Sequence, residues 1–497
     1  MPVPKRTYPA LAATVAAAAT SALALAPASA AATARLSPSA PSTASTASTS
    51  DFNGDGHADL AVGVPEGAVG GKARAGYVNV LWGGRKGPGA HGGIRVSQST
   101  AEVPGTPETG DRFGASVVLE DLNGDGIAEL LVGAPGEDVD GRGTDAGLVT
   151  VVGGAEGGPS QGSNVVAGTD ASSAYGLSVA AADLTGDGSR DIVAGGKDKV
   201  VLRTADGLAS TVVTAPMGGR APVLTTGDFT SGGGADLAVG YWTNDPFTQS
   251  HVRIWAWEPA DRALANVWNT DNAGVSALAS GDFDGDGHDD LVLGECREIA
   301  DENVDDPCGP EEFAKGGALH VHYGADRDGS FGFRKQTLGQ DTVGVPGAAE
   351  SDDRFGAVLA VADLDGDGHD DLIAGAPGEA IGTRAGAGAA TLLFGGKDGL
   401  ADASGKAHAV AYQQNTPGVP GAAEAGDAFG AAVATGDHDH DGRPDLAVGS
   451  PGENARSGGV WVFPRADVDG SRALTPAGLG LPAPTSALAY GTTLSSR

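Results

Sequence analysis

Asp363-Leu364-Asp365-Gly366-Asp367-Gly368-His369-Asp370-Asp371 carries carboxylates at its first, third, fifth and ninth positions. A short apolar run, Leu372-Ile373-Ala374-Gly375, follows at once. Four carboxylates converging in one tight loop repel one another unless a cation sits among them. Hard oxygen ligands at these positions, with a backbone carbonyl at the seventh, suit Ca²⁺. Gly368, at the sixth position, supplies the positive φ that the sharp turn needs.

The pattern recurs. Its first, third, fifth and ninth positions are Asp51, Asn53, Asp55 and Asp59; Asp121, Asn123, Asp125 and Glu129; and Asp183, Thr185, Asp187 and Asp191. They are Asp282, Asp284, Asp286 and Asp290 in the next copy; Asp363, Asp365, Asp367 and Asp371 in the copy quoted above; and Asp437, Asp439, Asp441 and Asp445 in the last. A degraded copy begins at Asp228, where Gly232 replaces the fifth-position acid. From Asp51 to Asp437 is 386 residues, about 64 per repeat over six steps, the scale of a propeller blade or repeat array. We expect about six Ca²⁺ sites, those with four carboxylates being the stronger, and a metal-free turn at Asp228. An EF-hand reading fails. It requires a Glu at position 12 and flanking helices, whereas position 12 is Val62, Val132, Ala194, Leu293, Ala374 or Val448.

Between the loops lie short apolar runs separated by Gly, Pro and Asp. In the second repeat these are Arg112 to Leu119, Leu130 to Pro135, Gly147 to Val152 and Asn164 to Ala167. Four strands per repeat is the content of a propeller blade, and no sustained helical period occurs after residue 50. An aromatic–glycine pair stands eight residues before the loop at Phe113-Gly114, Tyr175-Gly176, Phe355-Gly356 and Phe429-Gly430. It is missing before Asp228 and Asp282. It is also missing before Asp51, but the chain ends with Ala489-Tyr490-Gly491-Thr492-Thr493-Leu494, which matches Ala174-Tyr175-Gly176-Leu177-Ser178-Val179. The strand absent at the start is therefore present at the end. The expected architecture is all-β: a seven-bladed propeller of four-stranded blades, closed by pairing of the N- and C-terminal strands so that no open edge remains.

Composition fits a repeat ring. Glycine numbers 82 of 497 residues, about twice ordinary usage. The net charge of −33 excludes a basic nucleic-acid-binding face. Much of that charge lies in the loops, whose ligand positions hold 23 acids. Lys5 and Arg6, an apolar stretch from Leu11 to Leu25 and Ala28-Ser29-Ala30 read as a secretory signal over residues 1–30. Residues 31–50 read as an Ala/Ser/Thr/Pro-rich linker and residues 51–497 as the propeller. The expectation is an exported monomer with no membrane span. Export favours a disulfide between Cys296 and Cys308, with two free thiols as the alternative.

Phe-Gly, D-x-D-x-D-G-x-x-D and Gly-Ala-Pro, in this order, resemble FG-GAP repeats. That resemblance covers about Asp51 to Arg497. It implies the seven-bladed propeller of integrin alpha subunits and of many exported bacterial proteins, with calcium held on one face and partner binding on the other. The function so implied is recognition or adhesion toward an extracellular protein or glycan. The alternative is a secreted hydrolase or lyase working in the central pocket. No G-x-S-x-G elbow, phosphate loop or H-E-x-x-H helix occurs. Trp255 and Trp257, with Trp242 and Trp268 nearby, read as inter-blade packing or as a sugar platform. His320 and His322 alternate in one strand and could share a face. His57, His288 and His369 sit at loop position 7, with rings expected toward solvent. The acidic insertion from Glu295 to Gly317 is a candidate partner contact.

Overall fold

The computed structural model describes residues 50–215, 217, 220–230, 234–243, 249–271, 274–295, 316–324, 331–481 and 486–495. They form seven antiparallel four-stranded sheets. The innermost strands, in order of the blades, are Thr493–Ser495, Ser116–Glu120, Ser178–Ala182, Val223–Gly227, Val275–Gly281, Val358–Ala362 and Ala432–Gly436. These inner strands surround one axial cavity of about 270 Å³, to which each blade contributes, through Leu494, Val118, Val179, Leu224, Leu278, Leu359 and Val433. The protein is a seven-bladed β-propeller.

Ring closure follows the sequence expectation. Blade 1 takes its inner strand from the chain's end: Gly63, Val62 and Ala61 pair antiparallel with Thr493, Leu494 and Ser495. Tyr490 is fully buried, bridges to Gly458 of blade 7 and accepts the Asn79 side-chain N–H at 2.9 Å. Phe113 stands in the same relation to Gly76, and Phe429 to Gly388. Ser50, placed in the linker by the sequence reading, already belongs to the ring: it is buried and accepts the Asp59 N–H at 3.0 Å.

The spacing of the two glycine signatures has a steric cause. The carbonyl of Gly114 lies against Gly63 of the preceding blade so closely that a Cβ there would sit 2.2 Å from it. The same fit joins Gly133 to Gly176, Gly294 to Gly356, Gly375 to Gly430 and Gly449 to Gly491, at 2.0 to 2.2 Å. Real Cβ atoms do not approach an oxygen that closely, so both motifs must be glycine for neighbouring blades to touch. Two boundaries escape this rule. Gly195 meets Pro222, and Gly240 meets Val223 and Val275. These are the boundaries where the aromatic–glycine pair is missing from the sequence.

The tryptophans pack. Trp255 is buried with Val193 and Leu237, and Trp257 joins that cluster from its edge. Trp242 donates its indole N–H to the Val275 carbonyl at 2.8 Å, and Trp268 meets Phe331 and His322 edge-on. One four-residue helical turn, Glu453–Arg456, occurs among the described residues.

Candidate metal-binding hairpins

Six of the seven loops join the first and second strands of their blades, and the Asp51 loop leads into the second strand of blade 1, so all of them crown one end of the ring. In the Asp363 loop, the Asp363 carboxylate accepts N–H groups from Gly366, Asp367 and Gly368 at 2.7, 3.1 and 3.0 Å. Asp367 Oδ1 accepts the His369 N–H at 2.9 Å. Gly366 and Gly368 both have positive φ, so position 4 needs left-handed backbone as much as position 6. The Asp437 loop has His440 at position 4 and holds it at φ 57°, a conformation that costs a non-glycine residue on the order of 1 kcal/mol.

The ninth-position acid is the anchor. Asp371 accepts the Leu364 N–H on one oxygen and the Gly395 N–H, just beyond the third strand, on the other, both at 2.9 Å. Asp59 does the same with Phe52 and Gly83, and Asp290 with Phe283 and Gly324. Asp236 keeps this role in the degraded loop, accepting from Phe229 N–H and the Thr230 hydroxyl. This residue therefore has a folding role apart from any metal. Burial, reinforced by the neighbouring loop carboxylates, pushes Asp290 up to about 8 and Asp59, Asp371, Asp445 and Glu129 up to about 7.

The loops also hold the ring together through backbone. The position-8 N–H donates to the position-1 carbonyl of the preceding blade: Ala58 to Asp437, Ala128 to Asp51, Ala235 to Asp183, Asp289 to Asp228 and Asp370 to Asp282, at 2.8 to 3.3 Å. Arg190 N–H reaches Leu122 instead. In blade 7, position 8 is Pro444, which has no N–H to give.

Three loops gather three carboxylate oxygens within 4.8 Å of one another: Asp282, Asp284 and Asp290; Asp363, Asp365 and Asp371; and Asp437, Asp439 and Asp441. These are the loops with four carboxylates. In the others, position 3 lowers the charge. Asn53 donates its amide to Asp55 and Asn123 donates to Glu129, both at 3.1 Å, while Thr185 offers only a hydroxyl. The donor set fits a hard divalent cation. Asp439 Oδ1 and Asp445 Oδ2 are buried without a hydrogen-bond partner, acceptors that a cation in the Asp437 loop would satisfy. Arginines separate sites that the sequence ranks together. Arg334 pairs with Asp284, and Arg465 with Asp441 at 2.7 Å. Among the described residues no arginine forms an ion pair with Asp363, Asp365, Asp367 or Asp371.

Other sequence candidates resolve differently. The rings of His57 and His369 turn back on Asp55 and Asp367, at 3.2 and 3.1 Å, rather than standing free toward solvent. His320 and His322 take separate partners, Glu295 at 2.8 Å and the Trp268 ring. Cys296, Cys308 and most of the acidic insertion lie outside the described residues. The axial cavity is lined by aliphatic and hydroxyl side chains, and its one carboxylate, Glu120, is held by Arg190 at 2.7 Å. No described helix is long and apolar enough to cross a membrane.

Seven blades, with acid-lined hairpins around one end and glycine contacts between neighbours, define a repeat propeller of the integrin alpha kind. The FG-GAP repeat profile matches residues 43–81, 113–152, 355–393 and 429–463. The chain is an FG-GAP-repeat β-propeller. It is 30% identical over 266 residues to integrin alpha pat-2 of Caenorhabditis briggsae, covering 43% of this chain and 20% of that one. It is 35% identical over 118 residues to phosphatidylinositol-glycan-specific phospholipase D of Bos taurus, covering 22% and 13%. The chain thus spans a fifth or less of the length of these two relatives. A solved Photorhabdus luminescens Tc holotoxin pore aligns over 76% of this chain and 16% of that one. Its 16% identity and TM-score of 0.32 are too low to bear on the reading.

Proposed function

We propose that this protein is an exported, calcium-stabilised recognition or adhesion module for an extracellular protein or glycan. The observation that carries the reading is the crown of acidic hairpins on a ring that aligns with an integrin alpha chain over 266 residues. Ca²⁺ would be held by the first, third, fifth and ninth side chains of each loop, tightest at Asp363, Asp365, Asp367 and Asp371. It would cancel the repulsion among those carboxylates and lock each hairpin between its neighbours. Such a cation is structural, because the same loop repeats around the ring instead of converging on one cleft. The end opposite the hairpins is then the surface for a partner. A Ca²⁺-dependent signal on a panel of matrix proteins and glycans, lost in chelator and restored by Ca²⁺, is the expected result. The phospholipase relatives keep a hydrolase as the alternative. Turnover of ester or phosphodiester substrates, with no binding on either panel, would overturn the recognition reading.

A further inference from the structure

On the end of the ring away from the hairpins a second arrangement recurs. Gln98, Gln340 and Gln414 each follow the outermost strand of a blade. Thirteen residues after each stands Asp111, Asp353 or Asp427, and thirty-nine residues after each stands Glu137, Glu379 or Glu453. The aspartates precede the inner strand of the next blade, and the glutamates lie in its second hairpin. Three inter-blade boundaries therefore carry one Gln–Asp–Glu trio apiece: blades 1 and 2, 5 and 6, and 6 and 7.

The amide nitrogen of each glutamine contacts the glutamate carboxylate, at 2.7, 2.5 and 2.5 Å. The carbonyl oxygen of the same amide is buried and has no partner in all three. The glutamines themselves are 6, 4 and 1% exposed. Each aspartate is 1 or 2% exposed and uses only Oδ2, which accepts the N–H of Glu108, Glu350 or Glu424. Its backbone carbonyl accepts from Gly136, Gly378 or Gly452 at 2.9 to 3.0 Å, pinning the aspartate to the loop that bears the glutamate. A buried acceptor left without a donor is costly, and here the same atom is orphaned at three matched positions. The donor and acceptor ends of a glutamine amide have nearly the same shape, so a half-turn of the amide exchanges them. With a cation between the side chains, the carbonyl turns toward it and the orphan disappears.

Two of the four boundaries without the trio carry a protein cation. In blade 1, Glu66 has no glutamine and lies 3.6 Å from Arg112. In blade 3, Lys199 stands 24 residues after Tyr175, as Glu137 stands 24 after Phe113, and lines a boundary hollow with Asp170 and Ser173. We propose that each Gln–Asp–Glu trio binds one Ca²⁺ through the amide oxygen and the two carboxylates, fastening the outer-strand exit of one blade to the second hairpin of the next. Two carboxylates and a neutral oxygen are a hard-donor set with room for water.

The test counts metal. Full-length protein is stripped with chelator, refilled with Ca²⁺ and measured by equilibrium dialysis. The E137Q/E379Q/E453Q variant is expected to hold three fewer ions per chain than the parent, and an unchanged count overturns the proposal. A single-site probe guards against misfolding of the triple variant. Trp461 Cζ2 and Gln414 Nε2 lie 3.7 and 3.9 Å from where a Cβ on Gly421 would stand, so the indole adjoins the blade 6–7 trio. Terbium luminescence sensitised through Trp461, assigned by its loss in W461F, should bind at least tenfold more weakly in E453Q and be unchanged in D365N. Loss in D365N with retention in E453Q would place the ion in a hairpin and overturn the proposal. The hairpin sites can fail this assay while the trio passes, and the reverse.

Discussion

Blades 1, 2, 6 and 7 and the arc of blades 3 to 5 build the same sheet by different means. In the first group, neighbouring blades meet backbone to backbone through paired glycines, and all four repeat matches fall there. In the arc, contacts pass through side chains: Pro222 on Gly195, Val275 on Gly240, and Trp255 and Trp268 as filler. The strands of blade 4 lengthen to eight, ten and nine residues outside its inner strand. Fold survives where the signature fades because the ring demands only that each blade bury its neighbour's face. Glycine contact is one solution and aromatic bulk is another.

If the glycine group carries closure, its clasp should be the most sensitive point. Tyr490→Ala empties a fully buried site and orphans the Asn79 amide. A loss of about 3–5 kcal/mol is expected from aromatic truncation, read as a drop in denaturant midpoint. Removing Ala489 to Arg497 should cost more, because it exposes the edge of blade 1. Trp257→Ala, in the arc and only partly buried, should cost less than half as much. Equal losses would mean that closure has no special weight.

The glycine contacts themselves give the next largest contrast. Gly375→Ala drives a methyl to 2.1 Å from the Gly430 carbonyl, an atom fixed in the neighbouring blade. Gly240→Ala meets only valine methyls, at 2.7 to 3.1 Å, which can rotate aside. Overpacking costs about 1–3 kcal/mol, so Gly375→Ala should fall at or above the upper end and Gly240→Ala near the lower. Matched melting curves for the pair would refute the steric account of the motif.

Buried acids of the first group and His322 of the arc should respond oppositely to acid in metal-free protein, with Asp290, raised to about 8, opposing His322 within blade 5. Asp111 and Asp353, in the glycine group, are pushed up to about 6 and about 7 by burial and adjacent acids. The folded form then binds protons that the unfolded chain does not, so their contribution grows as pH falls from about 7 toward 4. His322, in the arc, is driven down to about 4 by burial, with Lys335 and His320 adding to the effect. The unfolded chain takes that proton first, so stability is lost as pH falls from about 6.5 to 4. Native-state hydrogen exchange in chelator at pH 7 and pH 5 should show protection rising in blades 2 and 6 relative to blade 5. His322→Leu should remove the loss in blade 5.

The ring, its seven blades and the closing strand were legible because they rest on spacing: an acid ladder about every 64 residues and one displaced copy of Tyr-Gly. The six acidic loops were legible for the same reason. Arg334 on Asp284 and Arg465 on Asp441 were not, since those pairs depend on where side chains from other loops arrive. The glutamine–glutamate contacts escaped because their members lie thirty-nine residues apart in two blades. An observable signal existed in the constant Gln, Asp and Glu offsets, but without the topology nothing joined them. His322 read as half of a histidine pair because alternation fixes a face and not a partner.

Pro444 offers the smallest effect. Each of six blades sends a loop N–H to the loop before it, and blade 7, inside the glycine group, cannot. Pro444→Ala restores a donor facing the Asp363 loop. A neutral hydrogen bond contributes about 1 kcal/mol net, while losing the proline frees the unfolded chain by about 0.4–1 kcal/mol. The melting temperature should therefore barely move, and the informative quantity is exchange of the new amide at position 444. Protection matching that of Ala128 would show that the loops form a continuous belt with one removable gap. Exchange at the rate of an open loop would show that the blade 6–7 boundary is held otherwise, by contacts such as the Phe429 N–H on the Ala387 carbonyl and the Tyr412 hydroxyl on the Ala466 carbonyl.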